Sequence, residues 1–142
     1  MRITSFTRYT VIVLLHAALK RGELTTISDI SEIYGISANH LMKVVHLLSA
    51  NGYLETVKGR GGGLRLNLEL QDIKLIDVLK LSEPDFNIVE CFGDKRGKCQ
   101  EIDSCKFSGV VDEALQNFFG VIEKYTFADI EKTNLFDLRQ SM

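Results

Sequence analysis

Cysteine is missing from residues 1–90 and 106–142 of this 142-residue chain, and proline occurs once, at Pro84. No apolar run approaches the roughly 20 residues that a bilayer-spanning helix needs, so no membrane span is expected. No N-terminal stretch joins a basic region, an apolar core and a cleavage site. Three cysteines cannot all pair, so a secreted disulfide framework is not expected either, and the chain is placed in a reducing cytoplasm. Apolar content of 45% and charged content of 25% lie near globular averages, which argues against disorder. Paired carboxylates, a nucleophile–base arrangement and a cofactor loop are also lacking, so neither an enzyme nor an electron carrier is expected.

What cysteine there is sits in one stretch, Cys91-Phe-Gly-Asp-Lys-Arg-Gly-Lys-Cys99-Gln-Glu-Ile-Asp-Ser-Cys105. Gly93 and Gly97 allow a short loop to fold back and bring several thiolates to one centre. Structural zinc favours two close pairs of ligands, two to four residues apart, whereas seven and five residues separate these thiols. An iron-sulfur cluster tolerates wider, unequal spacing because each thiolate binds a different iron. A cluster is the first expectation and zinc the alternative. Simple packing of small apolar residues fits less well, since Asp94, Lys95, Arg96, Lys98, Gln100, Glu101 and Asp103 surround the thiols.

The net charge of −2 conceals a division. Residues 1–68 hold eight Lys/Arg against four Asp/Glu, and residues 69–142 hold nine against fifteen. The basic half suits phosphates. Val11, Leu14, Leu15, Ala18 and Leu19 recur at helical spacing and predict a helix from about Ser5 to Lys20, ended by Arg21-Gly22. Thr26-Ile-Ser-Asp29 has the pattern of an N-terminal cap and opens a second helix bearing Ile27, Ile30 and Ile33. Gly35 ends it, Ser37 caps a third, and Leu41, Val44, Val45 and Leu48 point that third helix inward. Two short helices joined by a glycine turn make a helix-turn-helix. Ser37, Asn39, His40, Lys43 and His46 then fall on the outer face, where they are candidates for DNA contact. His16, with no second ligand type near it, is expected to be a core or surface residue.

After Asn51-Gly52, Tyr53–Val57 and Leu64–Leu68 alternate like strands, joined by Lys58-Gly-Arg-Gly-Gly-Gly63. Phosphate-cradling glycine loops lead from a strand into a helix, and here a strand follows, so a nucleotide site is rejected. A basic hairpin wing that brings Lys58 and Arg60 to DNA is expected instead. Ile73–Leu81 reads as a short helix. Beyond the cysteines, Val111, Leu115, Phe118, Ile122 and Tyr125 follow steps of four, three, four and three, the stripe of a helix that packs on a partner helix. Phe107, Val110, Ala114 and Phe119 widen it. Thr126-Phe-Ala-Asp129 caps a last short helix. The expected organisation is mainly α with a small β-hairpin wing: residues 1–82 a winged helix-turn-helix, 83–106 a linker and cysteine loop, and 107–142 a long dimerisation helix followed by a C-terminal helix. A homodimer of this kind suits a palindromic double-stranded operator.

Met1-Arg-Ile-Thr-Ser-Phe6, Tyr34-Gly-Ile-Ser37, His40-Leu-Met-Lys-Val-Val45, the glycine-rich wing, Glu83-Pro84, the three cysteines and Tyr125-Thr-Phe-Ala-Asp129, in this order, resemble the iron-sulfur winged-helix repressors typified by NsrR and, more distantly, IscR. The likeness covers essentially the whole chain. It implies a dimeric bacterial repressor that senses nitric oxide through a cluster, 4Fe-4S favoured over 2Fe-2S, held by Cys91, Cys99 and Cys105. In such proteins an aspartate near the start of the first helix is the fourth ligand, supplied across the dimer. This chain has Arg8 there, and a guanidinium has no lone pair to offer iron. The resemblance thus leaves the fourth position to water, a small thiol, or a residue such as Glu90, Asp94 or Asp103.

Overall fold

The computed structural model describes residues 2–93 and 104–131. Six helices and one hairpin follow in order: α1 Ser5–Leu19, α2 Ile27–Tyr34, α3 Ala38–Ala50, β1 Leu54–Val57, β2 Gly63–Leu66, α4 Leu75–Ser82, α5 Lys106–Ile122 and α6 Phe127–Glu131. Mainly helical with a two-stranded antiparallel wing, the chain has the winged helix-turn-helix architecture that its sequence pattern predicts.

α1 is the central rod. Ile12, Val13, Leu14, Leu15 and Ala17 are buried in succession, so the helix is covered on several sides, by α3, α4 and β2. Thr4 caps it, accepting a hydrogen bond from the Thr7 N–H. His16 is 4% exposed and is a core residue: its Nε2 lies 3.1 Å from Thr25 Oγ1 and its Nδ1 3.2 Å from the Tyr34 hydroxyl. Both ring nitrogens of this buried imidazole are thereby satisfied, which tethers α1 to the turn before α2 and to the end of α2.

α2 begins with a reciprocal cap, the Thr26 N–H donating to Asp29 Oδ2 at 3.0 Å and the Asp29 N–H to Thr26 Oγ1 at 3.1 Å. It ends at Gly35, whose φ of 64° reverses the chain within one residue and delivers Ile36 to the core. α3 follows with Leu41, Val44, Val45 and Leu48 buried at helical spacing. Ser37 stands at its N-cap, but the hydroxyl makes no capping hydrogen bond, unlike the expectation from its residue type.

The hairpin register pairs Leu54 with Leu66 and Val57 with Gly63. Thr25 extends it by one bridge, exchanging hydrogen bonds of 3.0 and 2.8 Å with Leu64. The wing is therefore stitched to the helix-turn-helix unit through backbone. Glu55 and Arg65, directly opposite, form an exposed 2.8 Å ion pair, and such surface pairs add little stability.

α5 packs against α4, and the segment that follows it joins the core. Leu75 N–H donates to the Tyr125 carbonyl at 3.0 Å, and Phe127 N–H to the Ile73 carbonyl at 2.9 Å. Phe127 is fully buried within the same core as α1, α3 and the wing. Thr126 and Asp129 cap α6, the Thr126 N–H donating to Asp129 Oδ2 at 2.7 Å.

Candidate nucleic-acid interface and cysteine site

The outer face of α3 presents Asn39, His40, Lys43 and His46, all exposed, next to an exposed Ser37. Burying Leu41, Val44, Val45 and Leu48 leaves these side chains no other direction. Met42, 56% exposed, lies among them and escaped sequence reasoning because an apolar residue on a polar face carries no periodic signal. A groove of about 600 Å³ separates this helix from the wing, lined by Ile27, Met42, Lys43, His46, Ser49 and Thr56. Ser49 Oγ is buried there and has no hydrogen-bond partner.

The wing tip holds Lys58 and Arg60, both exposed, between Val57 and Gly63. Its glycines are dictated by close backbone approach. A Cβ on Gly62 would stand 2.1 Å from the Val57 carbonyl oxygen, and one on Gly63 2.4 Å from that of Thr25. Only glycine permits a turn this tight against the strap that anchors it. α3 and the wing tip thus offer a helix for a groove and two cations for a phosphate backbone.

One member of this surface is organised from outside it. The His40 ring stacks on Tyr9 of α1, centroids 5.9 Å apart and planes 22° apart, and the Arg8 guanidinium lies 5.2 Å from the centre of the Tyr9 ring. Sequence reasoning missed Tyr9, because only the crossing of α1 and α3 brings it to His40. Arg8 itself is exposed.

Cys91 and Cys105 are both half-buried. Cys91 lies in a single 3-10 turn, Glu90–Phe92, and Cys105 is the N-cap residue of α5. Cys99, together with Asp94, Asp103 and the cations Lys95, Arg96 and Lys98, lies outside the described residues. Glu90 is exposed. Beside Cys91 a cleft of about 520 Å³ opens between the segment bearing Phe86 and Phe92 and the α5 face of Ser108, Asp112 and Leu115. Among the described residues Cys91 is the one thiol that lines it, with Asn87, Ser108 and Asp112 as its polar groups, and a thiolate and a carboxylate are donor types that iron accepts.

On α5 the predicted stripe divides. Leu115 is 9% exposed and packs inside the chain, Val111 and Ile122 are half-buried, and Phe118 and Tyr125 are exposed. Phe86 meets Phe119 edge-on at 4.9 Å on the inner side. The uncovered apolar line is Phe107, Val110, Ala114, Phe118, Val121 and Tyr125; it keeps Phe118 and Tyr125 of the predicted stripe and runs through Phe107, Val110 and Ala114, expected to widen it.

Residues 3–133 match the Rrf2 family, described as iron-dependent transcriptional regulators. The chain is 44% identical over 133 residues to the HTH-type transcriptional regulator NsrR of Bacillus subtilis, covering 93% of this chain and 91% of that one. It is 40% identical over 131 residues to its namesake from Bacillus licheniformis, covering 92% of each. Among solved structures it is similar to T. potens IscR, with a TM-score of 0.71 at 20% identity over 100% of this chain and 91% of that one. It is likewise similar to the oxidized form of Staphylococcus aureus CymR, with a TM-score of 0.70 at 19% identity over 94% and 98%. These two share its fold. The matched relatives are regulators of transcription, not enzymes.

Proposed function

The chain belongs to the Rrf2 family of iron-dependent transcriptional regulators, and from that premise we propose a homodimeric repressor whose grip on palindromic operator DNA answers to nitric oxide through an iron-sulfur cluster. Cys91, Cys99 and Cys105 would hold the cluster, with 4Fe-4S favoured over 2Fe-2S because three thiols at wide spacing suit separate corners of a cube. When bound, the cluster supplies iron open to nitric oxide.

The chain's own residues account for the rest. Cys105 stands at the start of α5, and the segment just after α5 is tied to the DNA-binding unit by the Phe127–Ile73 and Leu75–Tyr125 hydrogen bonds. The apolar line from Phe107 to Tyr125 supplies the dimer contact. A change at Cys105 therefore reaches the one element that spaces the two recognition helices. Asn39, His40 and Lys43 read the groove, and Lys58 and Arg60 hold the backbone. Coupling of about 1–3 kcal/mol between the two sites suffices to change operator occupancy.

The observation that carries this reading is the position of Cys105, at the N-cap of the helix whose following segment is bonded to the DNA-binding unit. Cys91→Ser and Cys105→Ser proteins prepared without air should lose iron and sulfide together with operator affinity. Iron retained in either variant, or iron lost with affinity unchanged, contradicts the reading.

A further inference from the structure

α3 carries one large apolar side chain on its outside. Met42 is 56% exposed, whereas Leu41, Val44, Val45 and Leu48 are buried. It stands one turn after Asn39 and one turn before His46, so it shares a flank of the helix with both. A side chain left in water at this position forfeits the free energy that burial would give, which a partner on the same face can recover.

Two further observations describe that partner. Met42 borders the groove of about 600 Å³ between α3 and the wing, and Ile27 and Val45 continue the apolar surface into it. Around this apolar surface stand Lys43 and His46 on α3, with Lys58 and Arg60 exposed at the wing tip, and α3 contains no Asp or Glu. The occupant is therefore anionic at its edges and apolar at a point between them. The major-groove side of double-stranded DNA has this character: phosphates run along both edges, and the C5-methyl of thymine is the apolar group among the base edges. An unbranched thioether chain adapts its shape to so small a partner.

We propose that Met42, with the groove beside it, reads the C5-methyl of one thymine in each half-site of the operator, which makes it a specificity-determining residue of the DNA surface. The proposal rests on the operator-binding reading above and deepens it. Asn39 and Lys43 can distinguish polar base edges by hydrogen bonding, whereas a methyl group is recognised by contact and the release of water. Met42 thus adds a criterion that its polar neighbours on α3 do not supply.

The test uses the full chain, prepared without air and loaded with iron and sulfide, and a duplex that it selects from a random library. Each thymine of the selected site is replaced in turn by deoxyuridine, which lacks the methyl and keeps the base pairing. At one thymine per half-site the parent should lose about fourfold in affinity, the scale of one buried methyl-sized group. Met42→Ala should bind the thymine and uracil duplexes equally, so that the methyl effect vanishes with the side chain. Met42→Leu, apolar and of similar volume, should keep the effect, and Lys58→Ala should weaken both duplexes alike. Met42 is exposed, so Met42→Ala should melt and sediment like the parent. A parent indifferent to every deoxyuridine, or a uracil penalty that persists in Met42→Ala, overturns this inference and leaves operator binding intact. A change in sedimentation of Met42→Ala with the uracil penalty kept places a second copy of the chain on this groove and overturns it too. A parent that selects no sequence from the library overturns both this inference and the operator reading.

Discussion

The Phe127 N–H donates to the Ile73 carbonyl at 2.9 Å, and both side chains are fully buried in one core. This contact ties the segment just after the long helix to the unit that carries α3 and the wing. Phe127→Ala should therefore cost about 3–5 kcal/mol of stability, as removal of a buried aromatic ring does. Urea unfolding followed by circular dichroism measures it. A loss under about 1 kcal/mol would mean that the contact bears little of the core.

The cap of α2 gives a pH signature. Hydrogen bonding to the Thr26 side chain, and then to its backbone, holds the Asp29 carboxyl below its ordinary value of 3.8. A carboxyl depressed in the folded state stabilises above its ordinary pKa, and that stability disappears as pH falls through the folded value. Melting temperature measured from pH 7 to pH 3 should fall in the acid limb less steeply for Asp29→Asn than for the parent. Thr26→Ala should cost about 1 kcal/mol at neutral pH.

The two parts of the DNA surface should separate experimentally. Arg60→Ala should weaken binding to most DNAs and reduce the salt slope by about 1, whereas Asn39→Ala and His40→Ala should change sequence preference. Tyr9→Ala should act like a mild His40 change, because the ring that His40 stacks on is gone. Fluorescence anisotropy over several salt concentrations and operator variants distinguishes these effects. Equal losses on every DNA for both groups contradict the division.

On α5, Val121 is 51% exposed and Leu115 is 9% exposed. Val121→Glu should give a folded monomer in sedimentation, with helical content kept, while Leu115→Glu should unfold. A dimer that survives Val121→Glu moves the interface elsewhere.

The sequence makes the recognition unit legible because its signals are local. Thr26 and Asp29 mark a cap, Gly35 a reversal, and the alternation about Lys58–Gly63 a hairpin, and each lies where it was expected. The long helix is less legible. Which of its apolar faces is exposed depends on which the chain itself covers, and Phe86 packing on Phe119 with Leu115 turned inward rotates the free line toward Val110 and Val121. The return of Phe127 to the core and the Tyr9–His40 stack are contacts between distant segments and carry no periodic trace. Of the thiols, Cys91 and Cys105 are placed by the fold; the expectation for Cys99 rests on the chain's chemistry and its likeness to the family.

The most direct measurement is the operator affinity of cluster-loaded protein, prepared without air, as nitric oxide is added in increments. The protein should footprint a palindromic site, and protection should disappear in step with loss of the cluster's visible absorbance. Unchanged protection across the loaded, nitric-oxide-treated and metal-free forms would contradict the account.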